Sequence, residues 1–581
     1  MGQNEEDPPL TPGDQKTKAA SRAGQVADHL SPSNPPRRRR RSQQPDLPAD
    51  YSDVLGQLNT LRHIAATPDP TRPGYRRQKE AGKLWVRERI SLLLDPGSLQ
   101  EIGSVTGTVN WTQTAPFRES IASFVPSNNV QGFGKLGGRR ILFTADDFSI
   151  RAGHADGALS AKTAYVDQLA LRLKLPIVKL VDGSSGGGSV TSIARDGYSY
   201  VPPLRGAHDV VEQLNAGIPN LGAAVGTAIG LGAARLVACH FSVMAGDVGA
   251  VVNAGPRVVA GATGEEGLGA AELGGAGVHC RNGTVDNLAG DERGCFEQVA
   301  RVLGFLPDCG TVMPPVVGGV EAEVGGRRVE LRALVPRRRE RGFDARRVVG
   351  VVVDDGSWFE IGALWGCAAI VGLARLGGRP VGIIANNCEV GSGALDAAAS
   401  QKITRHLKFC DVFNLPILQF VDVPGYAIGS VAERTATMRW GVELWKTYYT
   451  TTTPVFSVLV RKVYGVAGGV MVECRQPHMR VAWPSGEWGS LPLEGGIEVA
   501  HAGELRALGE EARRAREAEL REMYGRLMNP VRTANAFSIE EIIDPADTRA
   551  LVVEWCRHVY ERELPERLIK RMTGQLQPQF T

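Results

Sequence analysis

Four glycine-rich turns, each at the end of an apolar segment, are the stretches of this sequence best suited to chemistry. They begin at Asp182 ("DGSSGGGSV"), Gly226 ("GTAIGLGAA"), Asp422 ("DVPGYAIGS") and Tyr464 ("YGVAGGVM"). Glycine permits positive φ and close approach of another molecule. Where such a turn opens a helix, its free amides favour negative charge and can hold a developing oxyanion. Any one of these turns, taken alone, is better interpreted as a tight connection between a strand and a helix; the functional interpretation depends on paired turns at matching positions in two repeats.

Side-chain catalysis has weaker support in the sequence. A G-x-S-x-G elbow, an HExxH zinc motif, a P-loop and a strand–G-x-G-x-x-G–helix unit are all missing. No histidine is placed by sequence to activate Ser184 or Ser185, and the lone His154 and His406 are interpreted as structural. Asp182 and Asp422 end predicted strands and are interpreted as caps of the following turns, with a catalytic base as the other interpretation.

The turns belong to a sequence that is repeated within the chain. "LLLDPGSLQEIGSVTG" from Leu92 matches "VVVDDGSWFEIGALWG" from Val351 at an offset of 259. "KLGGRRILFTADDF" and "RLGGRPVGIIANNC" follow at an offset of 240, and Gly230 matches Gly465 at 235. Such internal similarity predicts two homologous domains, 50–308 and 314–562, with loop deletions shortening the second. The basic stretch between them is a candidate linker.

Each repeat alternates two kinds of segment. Short apolar runs such as "RILFTADD" and "LPIVKLVD" are typical of buried strands, and residues 157–174 between them have helical spacing. The alternation predicts an α/β fold with mainly parallel strands. "ELRALGEEARRAREAELREMYGRL" predicts one long charged helix on a solvated or subunit-packing face. Residues 1–48 are expected to be a disordered Pro/Arg/Ser-rich tail, and 563–581 a C-terminal tail.

Composition narrows the class of protein. The 581 residues are 43% hydrophobic and 22% charged, with a net charge of +3, too small to favour nucleic acid. The run Arg37–Arg41 is either a nuclear or anionic-surface signal or a solvated linker. Apolar runs are too short to span a membrane. Nine scattered cysteines without a C-x-x-C pair predict free thiols in a reducing compartment: the cytoplasm, or alternatively the mitochondrial matrix.

Long motifs in the same order resemble the carboxyltransferase (beta) subunits of biotin-dependent acyl-CoA carboxylases, nearest to the propionyl-CoA and methylcrotonoyl-CoA types. The resemblance covers about residues 50 to 562. Its motifs are "GKLWVRERISLLLDPGS" from Gly82, "TGEE" from Thr263, "AELGGAGVH" from Ala271, "ARLGGRPVGIIANN" from Ala374, "FCDVFNLPILQFVDVPGY" from Phe409 and "IDPADTR" from Ile543.

The resemblance implies two tandem crotonase-like ββα superhelix domains in one chain. The first would bind the acyl-CoA and the second the carboxybiotin, which a partner biotin carboxylase or biotin carboxyl carrier subunit would bring. The family's active site lies between the first domain of one subunit and the second of another, which implies a homo-oligomer, possibly a hexamer. No metal is expected in this chain.

The resemblance also places the site residues. It implies two backbone oxyanion holes, at Ser185, Gly186 and Gly187 (the ungapped match to the family's Gly-Gly pair being Ser184 and Ser185) and at Val466 and Ala467. The substrate and biotin pocket would include Gly230, Gly232, Gly425, Tyr426, Gly465, Gly468 and Gly469. Three departures from the family concern acyl choice and turnover. Gly469 replaces an aspartate, "NNCE" from Asn386 replaces N-Q-P-G, and "GSLPLEGG" follows Trp488.

These residues leave three functions open. The first is carboxyl transfer from carboxybiotin to a small acyl-CoA through an enolate. The second is the reverse reaction, a biotin-dependent acyl-CoA decarboxylase. The third is a catalytically altered paralogue that acts as an assembly subunit. Hydration of enoyl-CoA, which needs placed carboxylates, has the least support.

Overall fold

The computed structural model describes residues 48–115, 118–154, 160–184, 204–318, 327–474 and 476–581, with parts of 20–26 and 193–201. The predicted disorder of residues 1–48 falls almost entirely outside this range. The described residues form two compact units. The smaller takes in the described residues up to 60 and residues 109–123, and the larger takes in 61–108 and 124–581.

The first repeat builds an eight-stranded sheet in the order β1-β4-β5-β6-β7-β8-β10, with β9 paired to β7. The β1–β4 and β4–β5 pairs are antiparallel, and the pairs from β5 to β10 are parallel. The elements are α1 (Ser52–Ala66), α2 (Pro73–Glu80), α3 (Val86–Leu93), β1 (Gln100–Ile102), β2 (Gly107–Ala115), β3 (Arg118–Pro126), β4 (Asn129–Leu136), β5 (Arg139–Asp146), α4 (Ser160–Leu173), β6 (Ile177–Gly183), α5 (Ala207–Asn215), β7 (Asn220–Ile229), α6 (Leu231–Val237), β8 (Phe241–Ala245), β9 (Ala250–Val252), α7 (Pro256–Thr263), α8 (Ala270–Gly274), α9 (Ala276–His279), β10 (Asn287–Ala289) and α10 (Glu292–Leu303).

The second repeat builds a seven-stranded sheet with the same arrangement, β11-β12-β13-β14-β15-β16, with β17 paired to β15. The predicted α/β class and the duplication are confirmed. The elements are α11 (Leu331–Leu334), α12 (Ala345–Val352), β11 (Phe359–Ile361), β12 (Ala369–Leu376), β13 (Arg379–Asn386), α13 (Ala397–Val412), β14 (Ile417–Val423), α14 (Ser430–Arg434), α15 (Thr437–Thr450), β15 (Val455–Tyr464), α16 (Gly465–Val472), β16 (Arg480–Ala482), β17 (Glu487–Gly489), α17 (Leu493–Ala500), α18 (Ala502–Arg506), α19 (Glu510–Leu527), α20 (Pro530–Asn535), α21 (Thr548–His558) and α22 (Leu564–Met572).

The change of offset from 259 to 240 has a structural counterpart. Gly107 and Gly366 are equivalent residues of the two repeats. After Gly107 the first repeat inserts the two-stranded ribbon β2–β3 before β4, whereas after Gly366 the second repeat continues to β12. Most of this ribbon belongs to the smaller unit, where the Gln57 side chain donates to the Glu119 carbonyl at 3.4 Å. The loop difference inferred from the sequence is therefore a strand pair.

Within the larger unit, the two halves are held together at the edges of their sheets. The Asn287 amide donates to the Glu360 carbonyl at 3.1 Å and accepts from Gly362 N at 2.8 Å. Phe241 and Phe359 stack edge to face at 5.9 Å, and one apolar core runs through both halves. Because this core continues from one half into the other, the domain boundaries 50–308 and 314–562 stay predictions.

Two segments near the C-terminus differ from the sequence expectation. The charged helix predicted as one element is two, because the chain breaks before α19 with Gly509 as the N-cap. The segment 563–581 includes α22 and then returns to the protein body, where Phe580 is buried.

Candidate active site

The four turns meet in pairs because the strands before them are parallel neighbours. In the first half Gly183, at the end of β6, pairs with Ala228 near the end of β7. In the second half Val423, at the end of β14, pairs with Val463 near the end of β15. Ligands of open α/β sheets bind outside the carboxyl ends of strands. Each half therefore has one candidate ligand-binding edge, formed by the carboxyl ends of the parallel strands of its own sheet.

In the first half, Gly230 turns the chain from β7 into α6. Its φ of 56° lies in the region that glycine tolerates, and its amide donates to the Val252 carbonyl at 3.0 Å. The next turn of backbone approaches β6 very closely, since a Cβ on Gly232 would lie 2.3 Å from the Gly183 carbonyl oxygen. The Gly232 amide donates to the Ser184 carbonyl at 2.9 Å. Gly232 thus joins the two first-half turns, and its amide is not a free donor.

The predicted first oxyanion hole is not described by the structure. Ser185, Gly186 and Gly187 lie outside the described residues. Ser184, the last described residue of this turn, has a buried hydroxyl to which no described residue hydrogen-bonds.

In the second half, α16 begins directly after β15. Gly465 has a φ of 60°, and the amides of Val466 and Ala467 fall in the first turn, where an α-helix provides no acceptor. None of the described residues accepts a hydrogen bond from either amide. The Val466 side chain is 66% exposed while Ala467 is buried. These two donors are open at the end of β15 and can hold an anionic oxygen.

Gly468 and Gly469 have different surroundings in the same helix. A Cβ on Gly468 would lie 2.9 Å from the Val463 carbonyl carbon, so a side chain there would push α16 away from β15. Nothing lies within 4 Å of the position that a Gly469 Cβ would take. A side chain at 469 therefore has room to project from the helix.

The turn after β14 does not open a helix directly. Gly425 has a φ of 135°, and its carbonyl accepts from Leu395 N at 3.1 Å. The Tyr426 hydroxyl donates to the Gly441 carbonyl in α15 at 3.0 Å. Burial raises the pKa of Tyr426 to about 12, which keeps the phenol neutral at physiological pH. This turn fixes α15 against the sheet beside α16.

The aspartates that end β6 and β14 are paired with buried cations. Asp182 receives the Lys83 ammonium at 3.2 Å and the Arg89 guanidinium at 2.9 Å. Arg89 also contacts Glu292 at 2.5 Å, and these two carboxylates raise its pKa against the opposing effect of burial. An ion-paired carboxylate beneath the turn is a structural anchor.

Asp422 has the equivalent role in the second half. It receives the Arg461 guanidinium at 2.9 Å and the Lys462 amide at 2.9 Å. Within the described turn after β14 no amide donates to this carboxylate, so the capping expected from the sequence is not found there; the carboxylate binds β15 instead. The Lys462 ammonium lies 3.8 Å from Asp422 and donates to the Ser392 carbonyl at 2.7 Å.

Sequence reasoning missed these cationic anchors. Arg461 and Lys462 stand directly before the "VYG" that leads into α16, and Lys83 and Arg89 lie in the motif quoted from Gly82. For Arg461 and Lys462, the available signal was a basic residue just before a glycine turn, which indicates a cation near the site. The partner could not be read from it, because Arg89 and Asp182 are 93 residues apart.

His406 has a structural position. It is buried in α13 with its ring near the Cys410 thiol, and burial lowers its pKa to about 3. A base that stays neutral and has no access to solvent does not shuttle protons at a surface turn. The interpretation of His406 as structural agrees with this burial.

Other site types find no support within the described ranges. No group of three or more His, Cys, Asp or Glu side chains there could hold a metal ion. All nine cysteines are free thiols. Across the part of the chain that the structure describes, no helix combines the length and the hydrophobicity needed to cross a bilayer.

Comparison with known proteins gives consistent matches along the chain. Residues 77–573 match the family model of the carboxyl transferase domain. A propionyl-CoA carboxylase beta chain from Saccharopolyspora erythraea is 30% identical over 540 residues, covering 89% of this chain and 95% of the relative. A methylmalonyl-CoA decarboxylase subunit alpha from Veillonella parvula is 29% identical over 485 residues, covering 82% of this chain and 90% of the relative.

A solved structure extends the match to three dimensions. It is a crystal structure of transcarboxylase 12S, a hexamer assembly with methylmalonyl-coenzyme A and methylmalonic acid bound. The TM-score is 0.76 at 28% identity, covering 89% of this chain and 96% of that one. The predicted architecture of two tandem crotonase-like domains is confirmed.

Proposed function

The chain belongs to the carboxyl transferase family, and from this premise we propose that it is the carboxyltransferase component of a biotin-dependent acyl-CoA carboxylase. Its reaction would move a carboxyl group from carboxybiotin to the α, or vinylogous, carbon of a small acyl-CoA. The observation that carries the proposal is the pair of open amides at Val466 and Ala467, at the carboxyl end of β15.

The chain's own contribution is positioning and charge stabilisation. Carboxybiotin, when bound, supplies the carboxyl group and, once that group has left, the base for the substrate α-proton. The amides of Val466 and Ala467 would donate to an oxygen that gains negative charge in the transition state, which is where preorganised donors lower a barrier most. Ser185, Gly186 and Gly187 are proposed as the first-half donors, with Gly230, Gly232, Gly425, Tyr426, Gly465, Gly468 and Gly469 around the two ligands.

Removal of one main-chain donor tests this role. Val466→Pro deletes the amide hydrogen at a first-turn position that proline tolerates, whereas Val466→Ala shortens the side chain and keeps the donor. The assay is carboxyl transfer from a carboxybiotin carrier to acetyl-, propionyl- and methylcrotonoyl-CoA. We expect Val466→Pro to lower kcat by about 10²–10³-fold and Val466→Ala by far less.

The controls separate loss of the donor from loss of the fold. Thermal unfolding of Val466→Pro should stay close to that of the wild type. Equal activity of a folded Val466→Pro and the wild type would refute the oxyanion role. Absence of carboxyl transfer with every acyl-CoA, while the protein still assembles, would favour the assembly subunit instead.

The second candidate is a biotin-dependent decarboxylase, which the similarity to the Veillonella parvula subunit favours. The same open amides would serve the reverse reaction. Purified chain with methylmalonyl-CoA and free biotin measures the reverse transfer, and the carrier assay measures the forward one. The ratio of the two rates, with the partner subunits present, decides between the candidates.

We further propose that a second copy of the chain covers the exposed face of α14 and α15. Ile428, in the loop before α14, is 92% exposed, and Val431 on α14 and Trp445 and Tyr449 on α15 are also exposed. Contiguous exposed apolar patches mark interfaces. Sedimentation of the wild type and of Ile428→Asp tests it: the wild type should form a homo-oligomer, and the variant should shift to smaller species.

A further inference from the structure

The short strand β17 runs along the end of β15, at the point where the open amides of α16 begin. Gly489 in β17 pairs with Tyr464, the residue directly before α16. One residue further on, a Cβ added to Gly465 would lie 3.4 Å from the Ser490 carbonyl oxygen. The position of β17 and of the residue after it therefore affects the first turn of α16.

Strand β17 has less apolar burial than β9, which pairs with the end of β7 in the first half. β9 consists of an alanine and two valines, each no more than 5% exposed. β17 consists of Glu487, Trp488 and Gly489, and none of these three residues is fully buried. Apolar packing that fixes β9 is thus reduced at β17, where other contacts hold the strand.

Arg339 supplies such a contact from the segment between α11 and α12, 148 residues before Glu487. Its Nε lies 2.9 Å from one carboxylate oxygen of Glu487, and its Nη2 lies 3.2 Å from the other. The two side chains are 36% and 13% exposed. A bidentate pair of this kind fixes the direction of both side chains as well as their distance.

A second carboxylate extends the contact beyond β17. Glu494 Oε2 lies 3.6 Å from Arg339 Nη2, and Glu494 belongs to the "GSLPLEGG" stretch that departs from the family pattern. Burial alone would lower the pKa of Arg339, but the Glu487 and Glu494 carboxylates outweigh it and raise this pKa. Arg339 therefore contacts both ends of the segment 487–494, which passes Gly465 at its middle.

The same charges reach the residue that precedes α16. Tyr464 is 1% exposed, and a Cβ added to Gly489 would lie 3.6 Å from its ring. Burial, and then the Glu487 carboxylate, raises the pKa of the Tyr464 phenol well above its usual value, while the Arg339 guanidinium opposes this shift. The ion pair and the start of α16 thus belong to one packed group.

The chain just after Arg339 is itself fixed to the second-half site. The Arg341 carbonyl accepts from Arg461 Nη1 at 2.8 Å, and Arg461 is the cation that pairs with the carboxylate at the end of β14. Two residues later, the Phe343 amide donates to the Cys388 sulfur at 3.2 Å. Arg339 therefore reaches β17 from backbone that is already attached to the end of the sheet.

We propose that Arg339 is a positioning residue for the second-half oxyanion donors. Its ion pairs with Glu487 and Glu494 hold β17 and the turn after it against the end of β15, and this contact orients the amides of Val466 and Ala467. The effect on reaction rate rests on the proposed carboxyltransferase function, whereas the effect on local structure does not.

A double-mutant cycle tests whether Arg339 acts through Glu487. Arg339→Gln, Glu487→Gln and the double variant are compared in the carboxyl-transfer assay. We expect each single variant to lower kcat by about 10-fold, because the donors are displaced, and the double variant to lose no more than one single variant. The KM for the acyl-CoA should stay unchanged. Arg338→Gln, at an exposed neighbouring arginine, is the matched control and should keep the wild-type kcat.

Hydrogen exchange measures the same contact without the reaction. Peptides that cover 485–495 should exchange faster in Arg339→Gln and in Glu487→Gln than in the wild type, and at the wild-type rate in Arg338→Gln. If the wild type transfers no carboxyl group, the proposed function fails, and the exchange rates still decide the role of Arg339.

Two results would overturn the proposal: exchange in 485–495 that is the same in all variants, or losses of kcat that multiply in the double variant. Should Arg339→Gln fail to fold, the comparison of Glu487→Gln with Arg338→Gln decides the question, since the proposal requires faster exchange in the first and not in the second.

Discussion

At the scale of single residues, the buried carboxylates give the site its rigidity. Asp182 and Asp422 occupy equivalent strand ends and each binds a buried arginine, although the two arginines come from unrelated positions in the repeats. Removing one partner of a buried pair leaves an uncompensated charge, which costs far more than the pair itself contributes. Both repeats therefore have a buried ion pair at this strand end, formed with an arginine from a different position in each repeat.

Asp422→Asn should destabilise the protein strongly. It leaves the Arg461 guanidinium, whose side chain is 4% exposed, without its carboxylate. We expect a fall of about 3–5 kcal/mol in the free energy of unfolding, measured by urea denaturation. Asp355→Asn, at an exposed position, is the control and should behave like the wild type. Equal midpoints for all three proteins would contradict the anchoring role.

Two buried histidines give stability a defined pH dependence. Burial lowers the pKa of His240 and His406 to about 3, from an ordinary value of about 6.5. Burial is the main cause at His240, where it outweighs the opposing effect of the hydrogen bond to the Leu214 carbonyl, and the Nδ1 atom accepts from Asn220 N as a neutral ring does. Between pH 6.5 and 3 the unfolded chain binds more protons than the folded one, so stability falls as pH falls through this window.

Each of these histidines should cost about 2 kcal/mol of stability between pH 8 and pH 5. Replacing His240 by Gln should remove its share of this loss, measured as the difference in unfolding free energy at the two pH values. His208→Gln, with an exposed side chain, should show the wild-type loss. If His240→Gln lost as much stability as the wild type, the buried-neutral assignment would be wrong.

At the scale of elements, two glycines in equivalent helices should respond oppositely to the same substitution. The Gly232 position has the Gly183 carbonyl oxygen 2.3 Å from an added Cβ, whereas the Gly469 position has nothing within 4 Å. Gly232→Ala must move α6 away from β6, which typically costs about 1–3 kcal/mol. Gly469→Ala lies inside α16 and should gain up to about 1 kcal/mol from helix propensity.

Thermal unfolding of the two variants measures this contrast directly. A lower Tm for Gly232→Ala and an unchanged or higher Tm for Gly469→Ala are expected. Similar shifts in both would show that the close contact of α6 with β6 is not required.

Elements with strong periodicity, such as α4 and β6, were predictable from the sequence. The break before α19 was not, since Gly509 inside a charged run does not by itself end a helix.

At the scale of the whole molecule, the C-terminal segment joins the two halves of the larger unit. Phe580 lies 4.7 Å from the His240 ring in the first half and 5.1 Å from the Arg405 guanidinium in the second. The Asn215 side chain accepts from the amides of Phe580 and Thr581. The segment expected to be a tail is therefore part of the packing between halves.

Phe580→Ala should lower the free energy of unfolding by about 3 kcal/mol, because it removes a buried aromatic side chain and opens a cavity beside the His240 ring. Phe537→Ala is the control, since Phe537 is 78% exposed and its loss should change stability by no more than about 0.5 kcal/mol. Denaturant unfolding of both variants measures the difference. A Phe580→Ala protein as stable as the control would show that the segment only rests on the surface.

The sequence by itself determined the duplicated α/β scaffold, the family and the places of the four turns. These follow from local periodicity, glycine spacing and long ordered motifs, which survive even where the repeats have diverged. Only the tertiary structure decided which amides are open, since Gly232 donates to Ser184 while Val466 and Ala467 have no acceptor among the described residues. Hydrogen-bond partners and buried ion pairs depend on which distant segments meet, and no local pattern records that.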